Sequence, residues 1–313
     1  MLPKFPAPTG GMPSIDQLLA GAGATSNAGD ELGNRVIERF QSSAYQPPLL
    51  ADVAARLVEL SRRPFKPTEA HQLLERDPFF AGRVLQVAQS PVHNGGAPVS
   101  SLAEAVTRLG HDTLGPMFLV ASTKMRVFRT RAYLRTMEQV QAHSLATAHL
   151  AKLASRHVSS VDPQVAFTAG LLHDVGLTAA LMIHGDPEGA AQGAAASAVS
   201  APPPTVDVKE LWPAIRAMHA RTTQWLCSRW KLPAVLANAV VNHHDIRPAN
   251  NPDPLAALVA LADGLATDLG FPAFDEVEPG QVPAALASLG IGPAQRESLL
   301  ADATGIQAHV ICR

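Results

Sequence analysis

Apolar positions recur along this chain at helical spacing. Leu50, Val53, Leu57 and Leu60 make one stripe, each three or four residues from the last, as one face of a helix requires. The polar residues between such stripes act as punctuation. Thr68 is the expected cap of TEAHQLLER, and Asp77-Pro78 offers an N-cap followed by proline at the first helical position. Ser101 with Glu104 forms a capping box at the start of SLAEAVTRL, and Gly110 stands where a left-handed C-terminal cap belongs. Asp253-Pro254 repeats the start signal before LAALVALADGLATDLG, which Gly270 can end. No alternating strand run and no repeat of fixed period interrupts this pattern. The fold class expected is all-α.

Two stretches fall outside the pattern. Residues 1–30 are rich in Pro, Gly, Ala and Ser, so a flexible leader is expected over 1–45, ending in a short helix near Gly33–Phe40. GDPEGAAQGAAASAVSAPPP carries too little side chain to order itself. It reads as a low-complexity surface insertion over 185–206.

Composition narrows the class only a little. Of 313 residues, 47% are hydrophobic, 17% charged and 5% aromatic, which suits a globular protein whose core is built from Leu, Val and Ala. A net charge of −2 gives no general attraction to nucleic acid or to an anionic membrane, and neither is expected as a partner. Cys227 and Cys312 are too few for a disulfide framework or a cysteine zinc site. The N-terminal MLPKFPAPTGGMPS lacks an apolar signal core, and the uninterrupted run LAALVALA at 255–262 is too short to span a bilayer. The expected compartment is the cytoplasm.

The candidate chemistry lies in histidine and aspartate. The dipeptide His-Asp occurs at 111–112, 173–174 and 244–245. Asp112 follows Gly110 between two helices, and Asp245 begins the polar loop DIRPANNPDP, so both read as turn or cap residues. His173 and Asp174 are different, because VAFTAGLLHDVGLTAALMI is apolar almost all round and should be buried. A buried carboxylate needs a partner charge or a metal. A hydrogen-bonded His–Asp pair would also answer this one segment. Gly170 and Gly176 bracket the pair and suggest close approach by another helix or a ligand. Asp263 shares a helix face with Leu255 and Val259, and 248–295 holds no Lys or Arg to neutralise it. His143 follows Val140 by three, His219 follows Ile215 by four, and His243 follows Val240 by three, so each points inward, with His244 beside His243. Imidazole with carboxylate suits Fe, Mn, Zn or Ni.

The order His143, His173-Asp174, His219, His243-His244, Asp263 resembles the HD superfamily of metal-dependent phosphohydrolases. LLERDPFFAGRVLQVAQSPV at 73–92, VSSLAEAVTRLG at 99–110, AGLLHDVG at 169–176 and HARTTQWLCSRWKLPAVLANAVVNHH at 219–244 narrow the resemblance to the HDOD family. It implies a two-lobed helical domain. The helical N-terminal lobe would cover 46–125, an HD-like core 126–275, and a helical tail 276–313. It further implies a divalent-metal centre of one or two ions. His143, His173, Asp174 and Asp263 would hold one, His219, His243 and His244 the other, and Asp174 would bridge them as the catalytic carboxylate. Two such cations fit hydrolysis of a nucleotide phosphoester by lowering a water's pKa and neutralising phosphoryl oxygens. Many HDOD relatives have lost metal ligands, whereas every matching position here is ligand-capable. Leu177 replaces the superfamily's lysine, HHDIRPANNPDP lacks the Gly-Tyr-Pro triplet of cyclic-di-GMP phosphodiesterases, and Gln139 replaces a third-metal glutamate. The implied function is bacterial signal transduction, with a nucleotide or phosphoester ligand and a signalling protein partner. The alternative is a non-catalytic regulatory module with a structural or empty site. The basic stretch KMRVFRTRAYLR at 124–135 is either a solvated connecting helix or a means of steering a phosphorylated ligand.

Overall fold

The computed structural model describes residues 27–42, 45, 47–93, 97–124, 131–185, 207–246, 252–274, 281–303, 305, 306 and 310. Among them there is no β-strand. The helices are α1 Asn27–Gln41, α2 Ala51–Leu60, α3 Pro67–Leu74, α4 Pro78–Ala88, α5 Leu102–Lys124, α6 Arg131–Ala154, α7 Pro163–Leu172, α8 Val175–Gly185, α9 Val208–Arg229, α10 Ala234–Asn242, α11 Pro254–Asp268, α12 Val282–Leu289 and α13 Pro293–Ala303. The expected all-α class is what is found.

Helix starts follow the local chemistry, with two adjustments. Asp77 accepts the Phe80 N–H at 2.9 Å and Asp253 that of Leu255 at 2.9 Å. Ser101 Oγ accepts the Glu104 N–H at 3.2 Å. The Glu104 carboxylate, however, reaches the Ser100 N–H at 3.4 Å rather than that of Ser101. Thr68 does not cap α3. That helix begins at Pro67, and the Glu69 carboxylate reaches back to the Lys66 N–H at 2.9 Å, because the fixed φ of proline suits the first helical position better than the second. Gly110 breaks α5 with φ of 58° and ψ of −175°: the positive φ needs glycine, but the conformation is an extended kink and not the left-handed cap expected.

Packing falls into two associations. α2, α3 and α4 lie on α5, while α6 runs along both α7 and α11, which also touch each other. α9 packs on α8 and α10, α10 packs on α11, and α4 and α5 join the two groups through α7 and α8. The stretch expected to be apolar all round is the centre of this assembly, since every residue from Ala166 to Met182 is buried. Pro163–Gly185 is in fact long and apolar enough to cross a bilayer, but 94% of its apolar window lies inside the fold. The expectation for LAALVALA alone had overlooked this longer segment, and burial explains it as core.

The short helix expected near Gly33–Phe40 is present but longer, Asn27–Gln41, and it is docked, so this part of 1–45 is not a flexible leader. Leu32, Val36 and Ile37 are buried, α1 lies against α9 and α8, and Arg221 on α9 bonds to the Asn34 side chain. Three apolar residues on one face stabilise the docking even though the helix is polar overall. Residues 1–26, most of the insertion (186–206), the centre of the basic stretch (125–130) and Cys312 lie outside the described residues.

Candidate metal centre

Five places in the helical fold bring the site together. His143 lies mid-way along α6, and His173 and Asp174 fill the junction between α7 and α8. His219 is on α9, His243 and His244 follow the last residue of α10, and Asp263 is on α11. The helices can converge because glycine lets them. A Cβ on Gly176 would lie 2.2 Å from the His219 carbonyl oxygen, and one on Gly170 would lie 2.8 Å from the Ala148 Cα. Both glycines therefore mark close helix approach, as the sequence suggested. Gly176 N–H also donates to Thr223 Oγ1 at 3.1 Å, tying α8 to α9 beside His219.

The imidazoles are oriented by backbone carbonyls. His143 Nδ1 donates to Phe271 O at 2.7 Å, His173 Nδ1 to Gly170 O at 2.8 Å, and His243 Nδ1 to Val240 O at 2.8 Å. His219 Nδ1 donates to Arg216 O at 2.5 Å. A carbonyl oxygen can only accept, so each Nδ1 carries a proton and each ring turns its Nε2 inward. This is how protein metal sites commonly hold histidine.

The Phe271 anchor can be followed back to a single glycine. Gly270 has φ of 89°, the left-handed region that L side chains rarely enter. Its N–H bonds to Thr267 O at 3.1 Å, and the Phe271 N–H bonds to Ala266 O at 2.9 Å. These two bonds make a Schellman turn at the end of α11. The chain reverses there and brings the next carbonyl, that of Phe271, over α6.

Within the cluster, His173 Nε2 is 3.2 Å from Asp174 Oδ2, and His143 Nε2 is 3.7 Å from it. The other oxygen, Asp174 Oδ1, lies 3.7 Å from His219 Nε2 and 3.9 Å from His243 Nε2. His143 Nε2 is 3.2 Å from both Asp263 Oδ1 and His173 Nε2. His244 Nε2 is 3.0 Å from His219 Nε2. With metal–ligand bonds of about 2.0–2.2 Å, two ligands of one cation sit about 3–4 Å apart, so these spacings fit. Three overlapping groups have ligand atoms all within 4.8 Å of one another: Asp174, His219, His243 and His244; His143, His173 and Asp174; and His173, His243 and Asp263. All seven residues singled out from the sequence are therefore in one cluster, which could hold a divalent cation.

Burial sets the electrostatics. His143, His173, Asp174, His219 and His243 are buried, Asp263 is half-buried, and His244 is exposed at the rim. Burial favours the neutral form of Asp174, but the His173 imidazole beside it outweighs this and holds the carboxyl well below its usual range. His173 is pushed up to about 9, against its own burial, by the Asp174 charge. His243 moves the other way: burial, helped by His244 and His173, drives it well below the ordinary imidazole range. It is thus neutral, with Nδ1 protonated and Nε2 bare. That Nε2 and Asp174 Oδ1 are both buried, and neither has a hydrogen-bond partner. Two facing acceptors without a donor are costly in a protein interior, and a cation between them removes the cost. The residues present fit a metal.

Of the other two His-Asp pairs, His111-Asp112 belongs to none of these groups, and from His244-Asp245 only the histidine joins one. His111 and Asp112 are exposed, and Asp245 is exposed in the turn after α10. The buried thiol of Cys227 is pushed up to about 12 by desolvation, which makes it inert. The carbonyl anchors were not legible in the sequence, since a backbone oxygen carries no residue signature. Gly270 was the one hint of the Phe271 contact.

A family model described as the HDOD domain matches residues 48–246. Among solved structures, the chain resembles the MmoQ response regulator from Methylococcus capsulatus str. Bath at 22% identity, covering 81% of this chain and 97% of that one, with a TM-score of 0.60. A fragment of MmoQ, residues 20–298, gives 23% identity, 82% and 94% coverage, and a TM-score of 0.57. An HDOD domain protein of unknown function from Geobacter sulfurreducens matches at 21% identity, 90% and 96% coverage, and a TM-score of 0.41. No curated protein matches the chain. At these identities the likeness to MmoQ is one of fold, and it agrees with the helical packing above. The match to the family model covers more than half the sequence, and the chain belongs to the HDOD family.

Proposed function

We propose that this is a bacterial cytoplasmic signal-transduction protein whose HDOD domain keeps a divalent-cation centre and hydrolyses a nucleotide phosphoester. The observation that carries the reading is the buried, facing pair of His243 Nε2 and Asp174 Oδ1, neither with a hydrogen-bond partner. His143, His173, Asp263 and Asp174 Oδ2 would hold one cation. His219, His243, His244 and Asp174 Oδ1 would hold a second. The donor set, imidazole and carboxylate without thiolate, suits Fe, Mn, Zn or Ni. When bound, two such ions supply an activated water at neutral pH and neutralise phosphoryl charge.

The chain's own residues do the rest. Asp174 turns one oxygen to each histidine set, so its role is to fix the spacing of the two positions rather than to attack phosphorus. The Nδ1–carbonyl bonds hold four rings in place before any ligand arrives, which lowers the reorganisation needed for binding. Buried walls exclude bulk water. The rim between Asp263 and His244, the two less buried members, is where a phosphoester would enter.

The depth of the site favours a second reading. Asp174 is only 6% exposed and His173 not at all, which also suits a structural cation in a non-catalytic regulatory module that works through a signalling protein partner. Metal analysis of untagged protein comes first, followed by a panel of cyclic and linear nucleotides with Mn²⁺ or Fe²⁺. Bound metal that is lost in Asp174→Ala, with turnover lost alongside it, supports the enzyme. Bound metal without turnover of any nucleotide leaves the regulatory module. Protein that takes up no divalent cation overturns the metal centre and leaves the regulatory module with an empty site.

A further inference from the structure

The rim histidine of the cluster is held from outside the segment that defines the family. Gln281 immediately precedes α12, beyond the matched residues 48–246. Its Oε1 accepts the Ile246 N–H at 2.8 Å, and its Nε2 donates to the His244 carbonyl. These bonds clamp the turn after α10 on both sides of Asp245, the residue that follows His244. Exposed residues after a helix end are free to fray, and His244 is such a residue. With the end of α10 on one side and the clamp on the other, its Cα–Cβ direction is fixed, and its ring reaches His219 Nε2 at 3.0 Å. The clamp is itself anchored: α12 packs on α11, the helix that carries Asp263.

We propose that Gln281 is a positioning residue for the cation position built from His219, His243 and His244, so that the C-terminal helices set the affinity of that position. This rests on the two-cation reading above. The chemistry demands an amide, because one atom must accept from Ile246 and the other must donate to His244. A glutamate in its place keeps the acceptor but turns a second, negative oxygen towards the His244 carbonyl.

The test uses the full chain, with Mn²⁺ titrated by calorimetry into metal-free wild type, Gln281→Glu and Gln281→Ala. The wild type is expected to take up two ions. Both variants should bind the first as the wild type does and the second about 10-fold or more weakly, as losses of supporting contacts around metal ligands typically show. The melting temperatures of the metal-free proteins should coincide, which excludes loss of the α12 packing as the cause. With Co²⁺, the absorption bands of the second ion should shift in the variants while those of the first stay put. Equal second-ion affinity in the three proteins overturns the inference alone, and uptake of a single ion by the wild type overturns the two-cation reading with it. Uptake of none by the wild type overturns the metal-centre reading on which it stands.

Discussion

Gly176→Ala probes the convergence of helices on which the site depends. The new Cβ would lie 2.2 Å from the His219 carbonyl oxygen and 2.7 Å from Thr223 Oγ1. Protein Cβ atoms essentially never come within 3.0 Å of such neighbours, so α8 and α9 must part by at least about 0.8 Å. The nearer obstacle is backbone, which cannot rotate aside as a side chain can. Overpacking of this kind costs about 1–3 kcal/mol, and a clash against a carbonyl belongs at the upper end. For a domain of this size, about 3 kcal/mol lowers the melting temperature by roughly 6–12 °C. Metal binding should suffer more than stability does. Ligand distances tolerate only about ±0.2 Å, and the shift separates Asp174, two residues before Gly176, from His219. Urea unfolding of metal-free protein reads the first effect and Mn²⁺ titration the second. Gly292→Ala is the control, because its Cβ would meet only Gln295 Oε1, at 3.8 Å. If Gly176→Ala unfolds at the wild-type midpoint and binds Mn²⁺ as tightly, the glycine does not set the spacing and the account of the site fails.

Gly270→Ala should cost about 1–2 kcal/mol through its left-handed backbone and weaken the cation position of His143, read by the same titration, while the His219 position is spared. Asp77 is fully buried, and desolvation raises its carboxyl from 3.8 to about 6. Folded protein therefore holds that proton more tightly than unfolded chain does, and stability from this group is lost as pH rises from about 4 to 6, by on the order of 3 kcal/mol at most. Asp77→Asn keeps an oxygen for the Phe80 N–H and cannot ionise, so its advantage over wild type should grow across that interval and then level off. Urea midpoints at several pH values would show this, and a constant difference would refute it. In metal-free protein His173 is pushed up to about 9 by Asp174, so below that pH a cation must displace its proton. Mn²⁺ affinity should then rise about tenfold per pH unit between 7 and 9, with about one proton released, as calorimetry in buffers of different ionisation enthalpy would reveal. A pH-independent affinity would remove His173 from the ligand set.

How much of this was legible in the sequence depends on whether the signal was local. Helix starts were, because Asp77, Ser101 and Asp253 act within their own first turn, and so was the left-handed glycine at 270. The exception among the starts was Thr68, where Pro67 won the first helical position. The docking of α1 was not legible. Its stripe of Leu32, Val36 and Ile37 lies in a polar helix, and only the surface of α9 gives that stripe somewhere to go. Lobe boundaries were stated from family resemblance, whereas the packing of α4 and α5 on α7 and α8 makes the two groups of helices continuous through the core.

The clustering of these seven residues was legible because a cation centre would demand particular side chains, and burial made those side chains conspicuous. An aspartate between Leu172 and Val175, or on the apolar face of α11, has no ordinary reason to be there. What periodicity and composition could not supply was orientation. A histidine three residues after an inward-facing valine may equally well present Nδ1 or Nε2, and only the carbonyls of Gly170, Arg216, Val240 and Phe271 decide which. Three of those anchors lie three residues upstream of the ring they hold, within the same helix or at its end. The fourth lies 128 residues away, delivered by a turn that needs Gly270. The seven side chains would fix which ions the cluster could take, and these backbone bonds fix which nitrogen would meet them. A substitution that leaves all seven ligands intact but moves one carbonyl should therefore disable the centre as surely as the loss of a ligand does.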